Sequence, residues 1–300
     1  MISIIIPTRN RAYTLIKVAE SYYQQQHVNE IIFVDDCGED NTKEIIDNIS
    51  KNYPQINTKY ISHEIRKGAA AARITGYTNA TNDYILFGED DAYLKKNYTD
   101  VLLGKIESNN KIGLISGRIV YKLFNETNEE SEKRFGFGIE KKEVFDKYHF
   151  GNNINAYFEG DIELPMTHAL FLTKKSLLEK LGYDPFYSKG NGYREESDFQ
   201  INSYVNGYKI ICTNDTNCYH MSRQEVQKGG QRVNRFKQLY RNIYFTNYFY
   251  NKYFNKLKDK LNITYSKNIA IVIFSFSMFK ILFVNPIRKI PQFVWRKISK

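Results

Sequence analysis

Short apolar runs alternating with helix-patterned segments constrain this chain more than any other feature of its sequence. Ile2-Ser3-Ile4-Ile5-Ile6, Ile31-Ile32-Phe33-Val34 and Tyr84-Ile85-Leu86-Phe87 are too short for helices and read as buried strands. Between them, residues 13–26 set Leu15, Val18, Ala19 and Tyr22 at helical spacing. Residues 42–52 suit a helix, Thr58–Ser62 a short strand and Ala69–Ala80 an Ala-rich helix. A helix over 95–109 and a strand over Ile112–Ser116 extend the series. Further on come a strand at Ala169–Thr173, a helix at Lys175–Leu181 closed by Gly182, a helix over Glu195–Asn206 with Gly207 beyond it, and a strand at Ile210–Cys212. Strands without a polar face, alternating with helices, build β-α-β units. The expected fold is therefore α/β, a mostly parallel sheet flanked by helices. Residues 121–160, rich in Glu, Lys and Asn, break the rhythm and read as an insertion carrying short strands.

At 42% hydrophobic, 300 residues can bury a sizeable core without covalent staples. Three Cys with no CxxC pair exclude a disulfide framework and a Cys-rich zinc module, and point to a reducing compartment. The net charge of +10 is unevenly placed. Residues 251–300 hold eleven Lys/Arg and one acid, Asp259, while the first 250 residues balance at 32 basic and 32 acidic. A nucleic-acid interface would need its charge on the folded body, so no nucleic-acid partner is expected. Within the basic stretch, Ile269–Val284 is polar only at Ser275, Ser277 and Lys280. Its sixteen positions fall short of the roughly 20 that cross a bilayer. Lys256, Lys258, Lys260 and Lys267 flank it on one side and Arg288, Lys289, Arg296 and Lys297 on the other, with Phe293 and Trp295 suited to a headgroup layer. This predicts peripheral or monotopic attachment to anionic lipid at the cytoplasmic face of a membrane; a buried core helix is the competing reading. The leading Ile2–Ile6 run, followed at once by Pro7, Arg9 and Arg11, does not read as a signal peptide. Three segments are expected: a globular domain over 1–222, a helical extension over 223–266 and a membrane-associating segment over 267–300.

Polar clusters fall at the expected strand ends, where parallel sheets bind their ligands. Asp35-Asp36 follows one strand and Glu89-Asp90-Asp91 another. Adjacent carboxylates repel unless something positive offsets them, and a hard divalent cation bridging substrate phosphates does so. A solvated turn explains either cluster alone; two at successive strand ends favour the cation.

With these residues in place a resemblance is visible. Ile4-Ile5-Ile6-Pro7-Thr8-Arg9-Asn10-Arg11, followed by Val34-Asp35-Asp36-Cys37-Gly38-Glu39-Asp40, resembles the family 2 glycosyltransferases of GT-A fold. Lys67–Gly76 is similar to that family's G-x-x-x-A-R-N-x-G segment, and Gly88-Glu89-Asp90-Asp91 stands at its DxD motif. Tyr193–Phe199 stands at its acidic catalytic motif, and Tyr219-His220 matches a late His. The resemblance covers roughly residues 2–222, with the motifs in order. It implies transfer of a sugar, with inversion, from a nucleotide-diphosphate sugar donor to a glycan or lipid-linked acceptor, assisted by Mg²⁺ or Mn²⁺.

By motif position, Asp36 would contact the donor base beside Pro7, Thr8 and Arg9, and Asp90 would approach the ribose. Asp91 would ligate the metal with His220 as a further ligand, while Arg73 and Arg66 are candidates to meet the diphosphate. Glu89 departs from the usual first acid of the motif. Glu195 and Glu196 compete as general base. Their side chains diverge by about 100° on a helix, so one alone can face the acceptor. The resemblance selects Glu196. Two other readings share these residues: a sugar-nucleotide transferase of similar fold, and a catalytically inactive sugar-binding scaffold on the membrane.

Overall fold

The computed structural model describes residues 1–153, 155–188, 192–228 and 233–284. They divide into two compact units, Met1–Phe145 with Asn152–Gln231 and Asp146–Gly151 with Arg232–Lys300. The first begins with β1 (Ile2–Thr8), α1 (Ala12–Tyr23), β2 (Val28–Asp35), α2 (Thr42–Ser50), β3 (Asn57–Ser62), α3 (Ala69–Thr78) and β4 (Tyr84–Phe87). Then follow β5 (Ala92–Leu94), α4 (Tyr98–Ser108), β6 (Ile112–Tyr121) and α5 (Asn128–Phe135); two two-residue strands, β7 (Phe145–Asp146) and β8 (Gly151–Asn152), fall where the chain passes from one unit to the other and back. The unit closes with β9 (Asp161–Glu163), β10 (Leu172–Lys174), α6 (Lys175–Leu181), α7 (Glu195–Val205) and β11 (Lys209–His220).

The main sheet runs β3-β2-β1-β4-β10-β6-β11-β5, with β9 beside β11. Its long ladders, β3-β2-β1-β4 and β6-β11, are parallel. The short β5, β9 and β10 pair antiparallel. Alternation along each strand explains the apolar runs. Ile4, Ile6, Ile31, Phe33 and Leu86 face Leu15, Val18 and Tyr22 of α1, Ile46 of α2 and Leu102 of α4. Ile5, Ile32, Val34, Ile85 and Phe87 face Ala72 of α3, Leu177 and Leu178 of α6 and Phe199 of α7. Gly76 lets α3 lie this close, since a Cβ there would come within 2.2 Å of Ile5 Cγ2.

The parallel order turns at β1, with β2 on one side and β4 on the other. The carboxyl ends of β1 and β4 therefore open a crevice at a topological switch point. That crevice receives the motifs.

Three elements differ from the sequence reading. The insertion contains a helix, α5, fixed by a capping box in which Thr127 Oγ1 accepts from Glu130 N and Glu130 Oε2 accepts from Thr127 N. A short strand, β5, precedes α4. β11 runs twelve residues rather than three, because a register shift between Thr213 and Asn217 takes up its polar middle.

In the second unit, Asn234 caps α8 (Arg235–Lys260) and Ser266 caps α9 (Lys267–Phe279), which continues as a wider π-type turn through Val284. Phe245, Phe249, Tyr250, Phe254 and Leu257 are buried on α8, and Phe150 packs on three of these rings. Phe236 of α8 meets Phe283 at 4.9 Å, and Asn242 Nδ2 lies 3.6 Å from Met278 Sδ.

Candidate active site

The crevice holds a cavity of about 240 Å³ lined by Pro7, Thr8, Arg9, Arg11, Asp36, Arg66, Arg73 and Glu89-Asp90-Asp91, among others. Nine residues singled out in the sequence (Pro7, Thr8, Arg9, Asp36, Arg66, Arg73, Glu89, Asp90 and Asp91) thus line one cavity. They come from β1 and the residue after it, the turn after β2, the loop into α3, α3 itself and the turn after β4.

The two Asp after β2 separate by role. Asp35 turns inward, accepting from Gly38 N at 2.8 Å and from the Tyr60 hydroxyl at 2.7 Å. Asp36 faces the cavity, its charge held by Lys67 N (2.7 Å), Gly68 N (2.8 Å) and His63 Nδ1 (3.0 Å). Gly68 has φ +91°, a conformation that favours glycine and presents two successive N–H groups to one carboxylate. His63 carried no signal in the sequence, since its link to Asp36 spans 27 residues of chain.

The acidic turn after β4 is pinned from α1. The Tyr22 hydroxyl accepts from Glu89 N at 3.0 Å and donates to the Ala92 carbonyl at 2.8 Å. Here Glu89, the doubtful acid of the motif, joins Asp91 and His220. One ligand-type atom from each lies within 4.8 Å of the others. His220 enters from β11, whose end pairs with β5, and stacks on Tyr121 at 4.8 Å. Its Nδ1 lies 2.8 Å from the Met221 carbonyl oxygen, which can only accept. A hydrogen therefore sits on Nδ1, which leaves Nε2, 3.4 Å from Asp91 Oδ1, as the ring atom placed to ligate a cation. A cation between them would take one lone pair from Nε2 and one from the carboxylate. The carboxylates report the same crowding. Burial, then the charge of Asp91, pushes Asp90 up to about 8 even though Arg11 opposes it. The same two causes raise Glu89. Oxygen donors with one imidazole fit Mg²⁺ or Mn²⁺.

Glu195 and Glu196 begin α7 and have different surroundings. Glu195 is buried, with Oε1 3.2 Å from Arg73 Nε. Burial lifts its carboxyl to about 7, against the pull of Arg73. Burial also works against the charge on Arg73, but Glu195 more than offsets this and Arg73 stays cationic, 5.2 Å over the Phe87 ring. Glu196 is half-buried, and its charge acts on both Arg73 and Glu89. Asp198, in the second part of the motif, accepts from the Tyr187 hydroxyl in the interior. His168 is half-buried, its Nε2 donating to the Gly117 carbonyl at 2.8 Å, and desolvation lowers its pKa to about 4. The Gly229–Arg232 stretch and the basic residues from 288 onward lie outside the described residues.

Residues 3–182 match the family described as glycosyl transferase family 2. The chain belongs to that family. A GalNAc(5)-diNAcBac-PP-undecaprenol beta-1,3-glucosyltransferase of Campylobacter jejuni is 27% identical over 217 residues, 70% of this chain and 65% of its own length. The glycosyltransferase GlyG of Streptococcus pneumoniae is 26% identical over 217 residues, 72% of this chain and 68% of its own. This family member thus spans about two thirds of the length of either relative. Among solved structures, S. aureus TarS 1-349 in complex with UDP-GlcNAc aligns with a TM-score of 0.60 at 16% identity, covering 93% of this chain and 72% of that one. The mannosyltransferase PcManGT of Pyrobaculum calidifontis, in complex with GDP-Man and Mn²⁺, gives 0.57 at 16% identity, with 93% and 69% covered. At such identities the likeness is one of fold, the GT-A fold expected for the family.

Mn²⁺ alone should raise the melting temperature, the rise growing with the logarithm of Mn²⁺ concentration once the site fills, and EDTA should reverse it. Asp91→Asn should abolish that shift relative to the variant's own metal-free melting temperature, as measured by differential scanning fluorimetry. A shift that survives Asp91→Asn contradicts the cluster.

Proposed function

We propose that the chain transfers a sugar, with inversion, from a nucleotide-diphosphate donor to a glycan or lipid-linked acceptor. The observation that carries this reading is the cluster of Glu89, Asp91 and His220 on the wall of a switch-point cavity. Asp36, its charge fixed by three N–H donors, faces the donor base beside Pro7, Thr8 and Arg9. Asp90 meets the ribose, and the Arg73 side of the cavity meets the diphosphate. A divalent cation, Mg²⁺ or Mn²⁺, held by Glu89, Asp91 and His220 would neutralise the charge growing on the departing diphosphate.

Inversion requires a base opposite the leaving group to take the acceptor hydroxyl proton. Glu195 is engaged by Arg73, so Glu196 is assigned that role. Glu195 then acts through Arg73, keeping its guanidinium fixed and charged.

The second unit supports a lipid-side location. α9 with its π-type end covers eighteen residues, Lys267–Val284, about 27 Å of helix. It exposes Ile269, Val272, Phe276 and Phe279 as one ridge, while Ala270 and Phe274 are buried. α8 adds exposed Phe236, Tyr240 and Tyr244 at four-residue steps, and it carries seven Lys/Arg against one Asp. So polar a helix does not cross hydrocarbon and suits an anionic surface, while α9 is by length and composition apolar enough to enter the lipid beside it. A lipid-linked acceptor fits this placement, and the printed name of the Campylobacter relative includes PP-undecaprenol.

Thermal-shift screening of UDP- and GDP-sugars with Mn²⁺ should identify the donor. With that donor, Glu196→Gln should bind as wild type does and lose sugar release by about 10²–10⁴-fold. Glu195→Gln should lower the melting temperature, because it leaves a buried guanidinium unpaired. An active Glu196→Gln beside a stably folded but dead Glu195→Gln reverses the assignment.

In flotation assays the protein should bind vesicles containing phosphatidylglycerol, bind neutral vesicles weakly, and bind less in high salt without full release. Equal binding to neutral vesicles would indicate insertion, and no binding to either would remove the lipid-side location.

A further inference from the structure

We infer that Arg11 is a resident counter-cation of the acidic cluster, handed from Asp91 to the donor diphosphate when the divalent cation takes its place. Metal and nucleotide then bind as a coupled pair. The inference rests on the metal and diphosphate reading of the site.

Arg11 stands just before α1, anchored through its backbone: its carbonyl accepts from Thr14 N at 3.0 Å and from Leu15 N at 2.9 Å. The side chain is buried and charged, and its position is set by the carboxylates. Nη1 lies 2.9 Å from Asp91 Oδ2 and 4.0 Å from Asp90 Oδ1. Among the described residues, Arg11 is the Lys/Arg side chain that pairs with Asp90 and Asp91, and His220 Nε2 is the other nitrogen beside Asp91. Arg11 Nε is buried without a hydrogen-bond partner, so the carboxylates satisfy only part of the guanidinium. The same residue lines the cavity in which the diphosphate is placed.

Two cations on one carboxylate repel each other, so a divalent ion at Asp91 raises the energy of Arg11 where it stands. A diphosphate offers what Arg11 then lacks: paired anionic oxygens matching the guanidinium fork, including a partner for Nε. Arg73 is less suited to this exchange, being held by Glu195 and stacked on Phe87. Arg11 therefore opposes metal bound alone and favours metal bound with a nucleoside diphosphate. By linkage the same factor must appear in both binding orders.

The test is isothermal titration of Mn²⁺ into wild type, Arg11→Met and Arg11→Lys, each alone and with saturating UDP or GDP. For wild type, Mn²⁺ alone should bind weakly and nucleotide should tighten it. For Arg11→Met, Mn²⁺ alone should bind on the order of tenfold tighter, and the nucleotide-dependent gain should shrink by a similar factor. Arg11→Lys keeps the charge, guards against misfolding of the Met variant, and should fall between the two. The inference is overturned if Arg11→Met binds free Mn²⁺ no more tightly than wild type, or if its nucleotide coupling is undiminished. In that case wild-type Mn²⁺ binding still stands and the metal reading survives. If neither protein binds Mn²⁺, with or without nucleotide, the metal reading falls and the inference with it.

Discussion

The mutual repulsion of Glu89, Asp90 and Asp91 is the constraint on which the rest of the site depends. Three carboxylates on one turn, partly withdrawn from water, stay together only if the fold forces them and positive charge answers them. The fold does so through Tyr22, whose hydroxyl closes the turn against α1, and through the Asp91 carbonyl, which accepts from Met221 N beside His220. The answering charge comes from Arg11, with His220 turning Nε2 toward Asp91. A divalent cation is the stronger answer, and donor diphosphate is its chemical complement.

The same logic orders the surrounding wall. Asp36 is held by donors from the loop into α3, Arg73 on α3 is held by Glu195 on α7, and α3 lies against β1 because Gly76 has no side chain. A change at Gly76 would therefore be felt at the diphosphate side of the cavity through displacement of Arg73. Function and packing share residues here, so the G-x-x-x-A-R segment reads as one device: a left-handed glycine, a close approach and a fixed cation.

Much of this was legible in the sequence because β-α-β architecture writes itself as apolar runs, and ligand sites follow at their carboxyl ends. Pro7, Thr8, Arg9, Asp36, Arg73, Asp90 and Asp91 meet in one cavity for that reason. What was not legible depends on contacts between distant segments. His63 reaches Asp36, and Glu195 pairs with Arg73 across 122 residues, with no local pattern to announce either. Arg11 was visible only as a letter in a motif. By contrast, α5 left a readable trace, the Thr127–Glu130 capping box, obscured by the polar composition around it. The polar middle of β11 masked a twelve-residue strand because bulged strands lose strict alternation.

The central claim is that Glu89, Asp91 and His220 together hold a divalent cation at the end of β4. Anomalous diffraction from crystals soaked in Mn²⁺ and a nucleoside diphosphate tests it most directly. The account predicts one dominant manganese peak at inner-sphere distance, about 2.0–2.3 Å, from carboxylate oxygens of Glu89 and Asp91 and from His220 Nε2. A peak held by other residues, or none while nucleotide density is present, would contradict it.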